Sequence, residues 1–234
     1  MKLIINNLKM NFTLPEVITY EKELSHINTK NKLIICPSYP YLSYFKGNNY
    51  ELGSQNVAET DDRQLTGEVS AIQLKSLDVK YSLVGHLERR INLKEDINQI
   101  IDKIRVLNKY NIIPILCVGT INSEISEYDS IKYDLDSLYQ KQIDLSKIII
   151  AYEPLSSIGT GIIPDLKHIA DIIKFIKNWF ITKYNINVNV VYGGSVSPSN
   201  IDRLNTITKL DGYLLGNTSL NTNNLKMILE KMEV

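Results

Sequence analysis

Eight short apolar runs recur along the chain roughly every 25–30 residues, and this spacing most limits what it can fold into. They cover residues 3–5, 33–36, 50–52, 81–84, 112–116, 148–152, 188–192 and 213–215. Several are β-branched and nearly continuous, as strands buried on both faces must be. Helical patterns fill the gaps. Over 93–109, Leu93, Ile97, Ile100, Ile101, Ile104 and Leu107 share one stripe. Over 165–181, Ile169, Ile172, Ile173, Ile176 and Phe180 do the same, after the start signal Pro164-Asp165. Further helix starts are expected near Pro15, Pro198 and Thr218.

Alternation of strand and helix implies parallel strands joined by right-handed crossovers. Two α/β architectures satisfy it, a closed eight-stranded barrel and an open doubly wound sheet. Eight units within 234 residues favour the barrel. No linker or low-complexity stretch interrupts the series, so 1–234 reads as one domain.

Composition narrows the function classes. Lys plus Arg and Asp plus Glu both number 26, which leaves no basic excess for a nucleic acid or an anionic membrane. No apolar stretch reaches the ~18–20 residues of a membrane span, and the N-terminal run is too short for a signal peptide. Cys36 and Cys117 lie in apolar runs without metal-ligand spacing, which fits a reducing, cytoplasmic setting.

In a closed barrel the chemistry sits just after the carboxyl ends of the strands. After the first run come Asn7 and Lys9, an amide and a cation. After the fourth comes Gly85-His86-Leu87-Glu88, whose histidine at a helix N-terminus has its charged form disfavoured. After the sixth comes Glu153-Pro154, where desolvation is expected to raise the carboxyl pKa and suit a general base. The stiff start at Pro154 and the glycines 159 and 161 suggest a lid. After the last two runs, Gly193-Gly194-Ser195 and Gly216-Asn217 free main-chain N–H groups for an anion. His26 and His168 sit among polar residues and read as solvated.

Taken together the segments resemble the triosephosphate isomerase family. They are 7–11, 53–56, 65–68, 85–90, 152–154, 158–161, 192–196 and 211–216, in family order and spacing from end to end. The resemblance implies a (β/α)8 TIM barrel that interconverts dihydroxyacetone phosphate and D-glyceraldehyde 3-phosphate, with no cofactor and no metal. It implies the proton-transfer roles well known for this enzyme: Glu153 as base, neutral His86 as donor to the carbonyl oxygen, Lys9 against the enediolate and phosphate charge, and Asn7 helping to fix the oxygens. Gly159, Ser195, Leu214, Gly216 and Asn217 would hold substrate and phosphate, and Glu88 would support Lys9. Pro154, Ile158, Thr160 and Gly161 would belong to the lid. Thr66 would enter a neighbouring copy in a homodimer.

The sequence departs from the family pattern at several points. Leu87 stands in place of a serine, so a hydrogen bond at the resting base is expected to be lost. Ser156 and Ser157 replace a tryptophan and an alanine at the lid hinge, and the segment after Gly161 is shorter. Asn217 replaces a glycine of the last phosphate turn, and Thr120 replaces a glutamate after the fifth strand. Another sugar-phosphate barrel enzyme would not need Lys9, His86 and Glu153 together. A barrel retained as a binding or structural protein would catalyse isomerisation only weakly.

Overall fold

The computed structural model describes residues 1–62, 64–122, 124–157 and 161–233. Eight parallel strands close into a barrel in chain order: β1 (Leu3–Asn7), β2 (Lys32–Cys36), β3 (Glu51–Ser54), β4 (Tyr81–Val84), β5 (Ile113–Val118), β6 (Ile149–Tyr152), β7 (Asn189–Tyr192) and β8 (Gly212–Leu215). Closure is made by β1 on β8, with Leu3 opposite Gly212 and Ile5 opposite Leu214. The open-sheet alternative is therefore excluded, and each apolar run lies within two residues of its strand.

Side chains alternate across the sheet and build two cores. Ile5, Ile34, Leu83, Ile115, Ile149 and Val191 fill the barrel interior. The intervening positions, with Ile4, Ile35, Val84, Leu116, Ile150 and Val190, face the helices. The helices are α1 (Leu14–Leu24), α2 (Ala71–Ser76), α3 (Leu87–Asn92), α4 (Ile97–Lys109), α5 (Glu127–Gln140), α6 (Leu166–Tyr184), α7 (Ile201–Leu204) and α8 (Thr222–Met232). In α6 the stripe Ile169, Ile172, Ile173, Ile176 and Phe180 is fully buried, as its spacing predicts. Each such side chain contributes about 1.5–3 kcal/mol by burial.

Three sequence expectations need correction. The helix expected over 93–109 starts four residues late: α3 stops at Asn92, Lys94 turns left-handed at φ 57°, and α4 begins at Ile97 behind Asp96, which accepts from the N–H groups of Asn98 and Gln99. Leu93, placed on that stripe, is 63% exposed. After β7 the helix begins at Ile201 rather than near Pro198. After β8, Asn217–Leu220 form a 3-10 turn, and α8 begins only at Thr222 behind the Asn221 cap. Among the described residues no helix is long and apolar enough to cross a membrane.

Candidate active site

The carboxyl ends of β1, β4 and β6 converge on one cavity of about 250 Å³. Asn7 ends β1 and is buried, and its Oδ1 accepts from the Lys9 N–H at 3.0 Å. That bond stabilises the left-handed Lys9 backbone, φ 50°, which turns the ammonium group inward. Lys9, which lines the cavity, pairs through Nζ with Glu88, which does not.

His86 caps α3 in the β4 loop. Its Nδ1 accepts the Glu88 N–H at 3.3 Å, so the neutral ring carries its proton on Nε2. That nitrogen lies 3.1 Å from Glu153 Oε1. Glu153 is 2% exposed, and its Oε2 accepts the Leu87 N–H at 3.1 Å. Burial disfavours charge on His86, the adjacent carboxylate favours it, and the net shift is upward. For Glu153 burial pushes the carboxyl up, but His86 and the Leu87 N–H outweigh it and hold it below the ordinary range. The expected upward shift of Glu153 is thus reversed in the resting arrangement, because its partner is an imidazole.

Leu87 also behaves otherwise than its side chain suggests. The serine hydroxyl is absent, yet the main-chain N–H of Leu87 supplies a bond to the base. Cys117, at the β5 end, also reaches Glu153 with a weak hydrogen bond, and burial pushes its thiol well up. Sequence reasoning missed both groups, since a backbone donor and a core cysteine carry no motif.

Two glycines allow the base to sit where it does. A Cβ on Gly119 would run into the Glu153 carbonyl oxygen, and one on Gly193 would stand 2.9 Å from Glu153 Cγ. Arg90 braces the floor behind them. It donates to the carbonyls of Gly85 at 2.8 Å and Cys117 at 3.1 Å and pairs with Asp134 at 2.7 Å.

The same cavity is also lined by Gly161, Ser195, Leu214, Gly216, Asn217 and Thr218. No long helix starts at either glycine turn: the four-residue α7 follows the first and the 3-10 turn Asn217–Leu220 the second. Ser195 Oγ donates to the Ser157 carbonyl at 2.5 Å and accepts the Gly161 N–H at 3.1 Å. Tyr192 donates to Ser157 Oγ at 3.4 Å. The 3-10 turn Leu155–Ser157 after Pro154 is therefore anchored without an aromatic hinge. Ile158, Gly159 and Thr160, expected in the lid and phosphate site, lie outside the described residues.

Thr66 is not part of this cavity. It stands exposed between β3 and α2, beside Leu65, which is 47% exposed. His168 is not simply solvated: its Nε2 lies 2.8 Å from Glu127 Oε2. His26 lies just past the end of α1 and is exposed. Among the described residues no group of three or more His, Cys, Asp or Glu could hold a metal ion.

Comparison with known proteins agrees over the whole barrel. The triosephosphate isomerase family model matches residues 2–232. Similar curated relatives include the triosephosphate isomerase of Mycoplasmopsis pulmonis, 37% identical over 93% of this chain and 92% of the relative. That of Mesomycoplasma hyorhinis is 34% identical over 97% of both chains. That of Buchnera aphidicola subsp. Baizongia pistaciae is 35% identical over 97% of this chain and 98% of the relative. With its closed eight-stranded barrel and the groups gathered at one end of it, the chain belongs to the triosephosphate isomerase family.

Proposed function

We propose that this protein interconverts dihydroxyacetone phosphate and D-glyceraldehyde 3-phosphate through an enediolate. The observation that carries the reading is that Lys9, His86 and Glu153 line the same cavity as Ser195, Gly216 and Asn217. Proton-transfer groups and the candidate anion-binding turns thus share one space suited to a small phosphorylated substrate.

Glu153 takes a proton from the carbon beside the carbonyl and returns it to the neighbouring carbon. His86 Nε2–H donates to the carbonyl oxygen, and Lys9 offsets the developing charge. In the resting enzyme Glu153 occupies the His86 donor that substrate must use. Substrate binding separates the two, and with the separation goes the mutual stabilisation of their charged forms. Burial is what remains, so Glu153 becomes a stronger base and His86 stays a neutral donor. Asn7 holds Lys9 in place and contributes to orienting the substrate oxygens. Main-chain N–H groups at Gly159, Ser195, Gly216 and Asn217 take the phosphate, with Leu214 beneath it. The segment Pro154–Gly161 closes over the enediolate and keeps water from it. The missing aromatic hinge and the shortened segment after Gly161 make this lid more mobile, or its closure less complete, than in a family member with the aromatic hinge.

The protein works as a homodimer, with Thr66 and Leu65 docking beside a neighbouring copy. A reducing cytoplasmic location fits the two buried free thiols. A coupled isomerisation assay on the purified protein at several concentrations tests activity and dimer dependence together. Glu153→Asp, which withdraws the base by one methylene, is expected to cut kcat by roughly 10²–10³. Unchanged turnover in that variant removes Glu153 from the mechanism.

A further inference from the structure

Behind the strand that carries Glu153, one carboxylate oxygen serves two side chains from different elements. Glu127 Oε2, in the first turn of α5, accepts from the Tyr152 hydroxyl at 2.8 Å. The same oxygen lies 2.8 Å from His168 Nε2 of α6. The Glu127 side chain is 15% exposed, so this bond is sheltered, whereas the imidazole reaches solvent. Tyr128 meets the His168 ring edge-on, with centroids 6.3 Å apart. The Tyr152 ring is fully buried against Tyr192, with centroids 6.1 Å apart. Neither Glu127 nor His168 reaches the cavity.

Tyr152 and Glu153 are consecutive at the end of β6, so their side chains leave opposite faces of the sheet. Tyr152 points out to the helices, and Glu153 points into the mouth. Main-chain bonds hold this strand end within the sheet: the Glu153 N–H donates to the Val118 carbonyl and the Gly193 N–H to the Tyr152 carbonyl, both at 2.8 Å. Bonds of that kind lie in the plane of the sheet and resist an out-of-plane tilt weakly. The bond from Tyr152 to Glu127 runs out of that plane and resists the tilt directly. A tilt that moves the Tyr152 ring outward carries the Glu153 carboxylate with it.

We propose that Glu127 is a positioning residue for Glu153, acting through the Tyr152 hydroxyl, with His168 orienting the carboxylate. The proposal rests on the isomerase reading above, in which Glu153 is the base.

The test is a set of variants assayed for kcat and KM, each with its melting temperature. Tyr152→Phe deletes one oxygen and keeps the ring packing. It is expected to lower kcat about fivefold with KM held within about twofold. Glu127→Ala is expected to match it. Glu127→Gln keeps an acceptor for the hydroxyl and is expected to retain wild-type kcat within about twofold. The double variant Glu127→Ala with Tyr152→Phe is expected to be no slower than either single change, because both cut the same bond. The proposal is overturned if Tyr152→Phe leaves kcat unchanged, if the two losses multiply, or if Glu127→Ala lowers only the melting temperature. Should Glu127→Ala not fold, Tyr152→Phe and Glu127→Gln decide the matter by themselves. Absence of turnover in the unaltered protein overturns the isomerase reading instead, so the two failures are distinguishable.

Discussion

Two buried carboxylates flank the β4–α3 loop, and they are held in opposite ways. Glu95 lies behind the loop, where Oε2 meets Lys103 Nζ at 2.7 Å and pairs with Arg89, while Oε1 accepts the Gly85 N–H at 3.1 Å. Lys103 also donates to Asn56 at 3.0 Å. Glu153 lies in front, against an imidazole and one main-chain N–H, and opens onto the cavity. Both carboxyls titrate below their ordinary range despite burial. Glu95 owes this to fixed cations that stay in place, so its charge is part of the scaffold. Glu153 owes it to a ring that can lose the partner without keeping a charge, so its basicity is free to rise when substrate arrives. Burial and a lowered pKa do not by themselves separate a structural carboxylate from a reactive one. The permanence of its partners does.

The comparison can be broken most forcefully at Glu95. Glu95→Leu leaves the Lys103 ammonium buried without its counter-ion and is expected to cost about 3–5 kcal/mol. Denaturant unfolding measures the loss, and kcat per folded molecule should change far less. A variant with wild-type stability but poor turnover would move Glu95 from scaffold to site.

His86→Gln tests the other side. It keeps a neutral donor but loses the placement of Nε2, and kcat is expected to fall by roughly 10²–10³ with the unfolding midpoint nearly unchanged. A large stability loss with normal turnover would mean that the ring is part of the scaffold.

A smaller effect follows from titration of Glu95. Burial pushes this carboxyl up, but Lys103 and Arg89 pull it further down, so the folded value lies below the unfolded one. Its stabilisation is therefore complete above the unfolded value of about 4.3 and is lost as pH falls through the folded one. The stability gap between the unaltered protein and Glu95→Gln should accordingly narrow on acidification below about pH 4. A gap that stays constant down to pH 3 would contradict the ion pairing.

The smallest effect is expected at Glu88. Its pair with Lys9 is part-exposed, at 44% and 26%. Glu88→Gln should change stability by less than about 1 kcal/mol, and raised salt should erase the difference. Any larger change would place this pair with Glu95.

Much of the barrel was legible in the sequence. Strands buried on both faces must be continuous apolar runs, and helices packed on one side must show a 3.6-residue stripe; both rules act within a few neighbours. The break at Lys94 escaped them. Leu93 continues the stripe, yet it is exposed, because Glu95 turns inward to meet Lys103 and Arg89. His168 escaped for a related reason: its polar neighbours in sequence say nothing of Glu127, which lies 41 positions away.

What the sequence determined by itself was the order of eight strands and the kind of group at each strand end: the cation, the imidazole, the carboxylate and the glycine turns. Only the tertiary structure decided what those groups do to one another. Leu87 and Glu153 are 66 residues apart, and closure of the barrel puts a main-chain N–H of one on the carboxylate of the other. Periodicity is local and can be read along the chain. Charge state depends on distances across a closed sheet, and those exist only once the first strand has met the last.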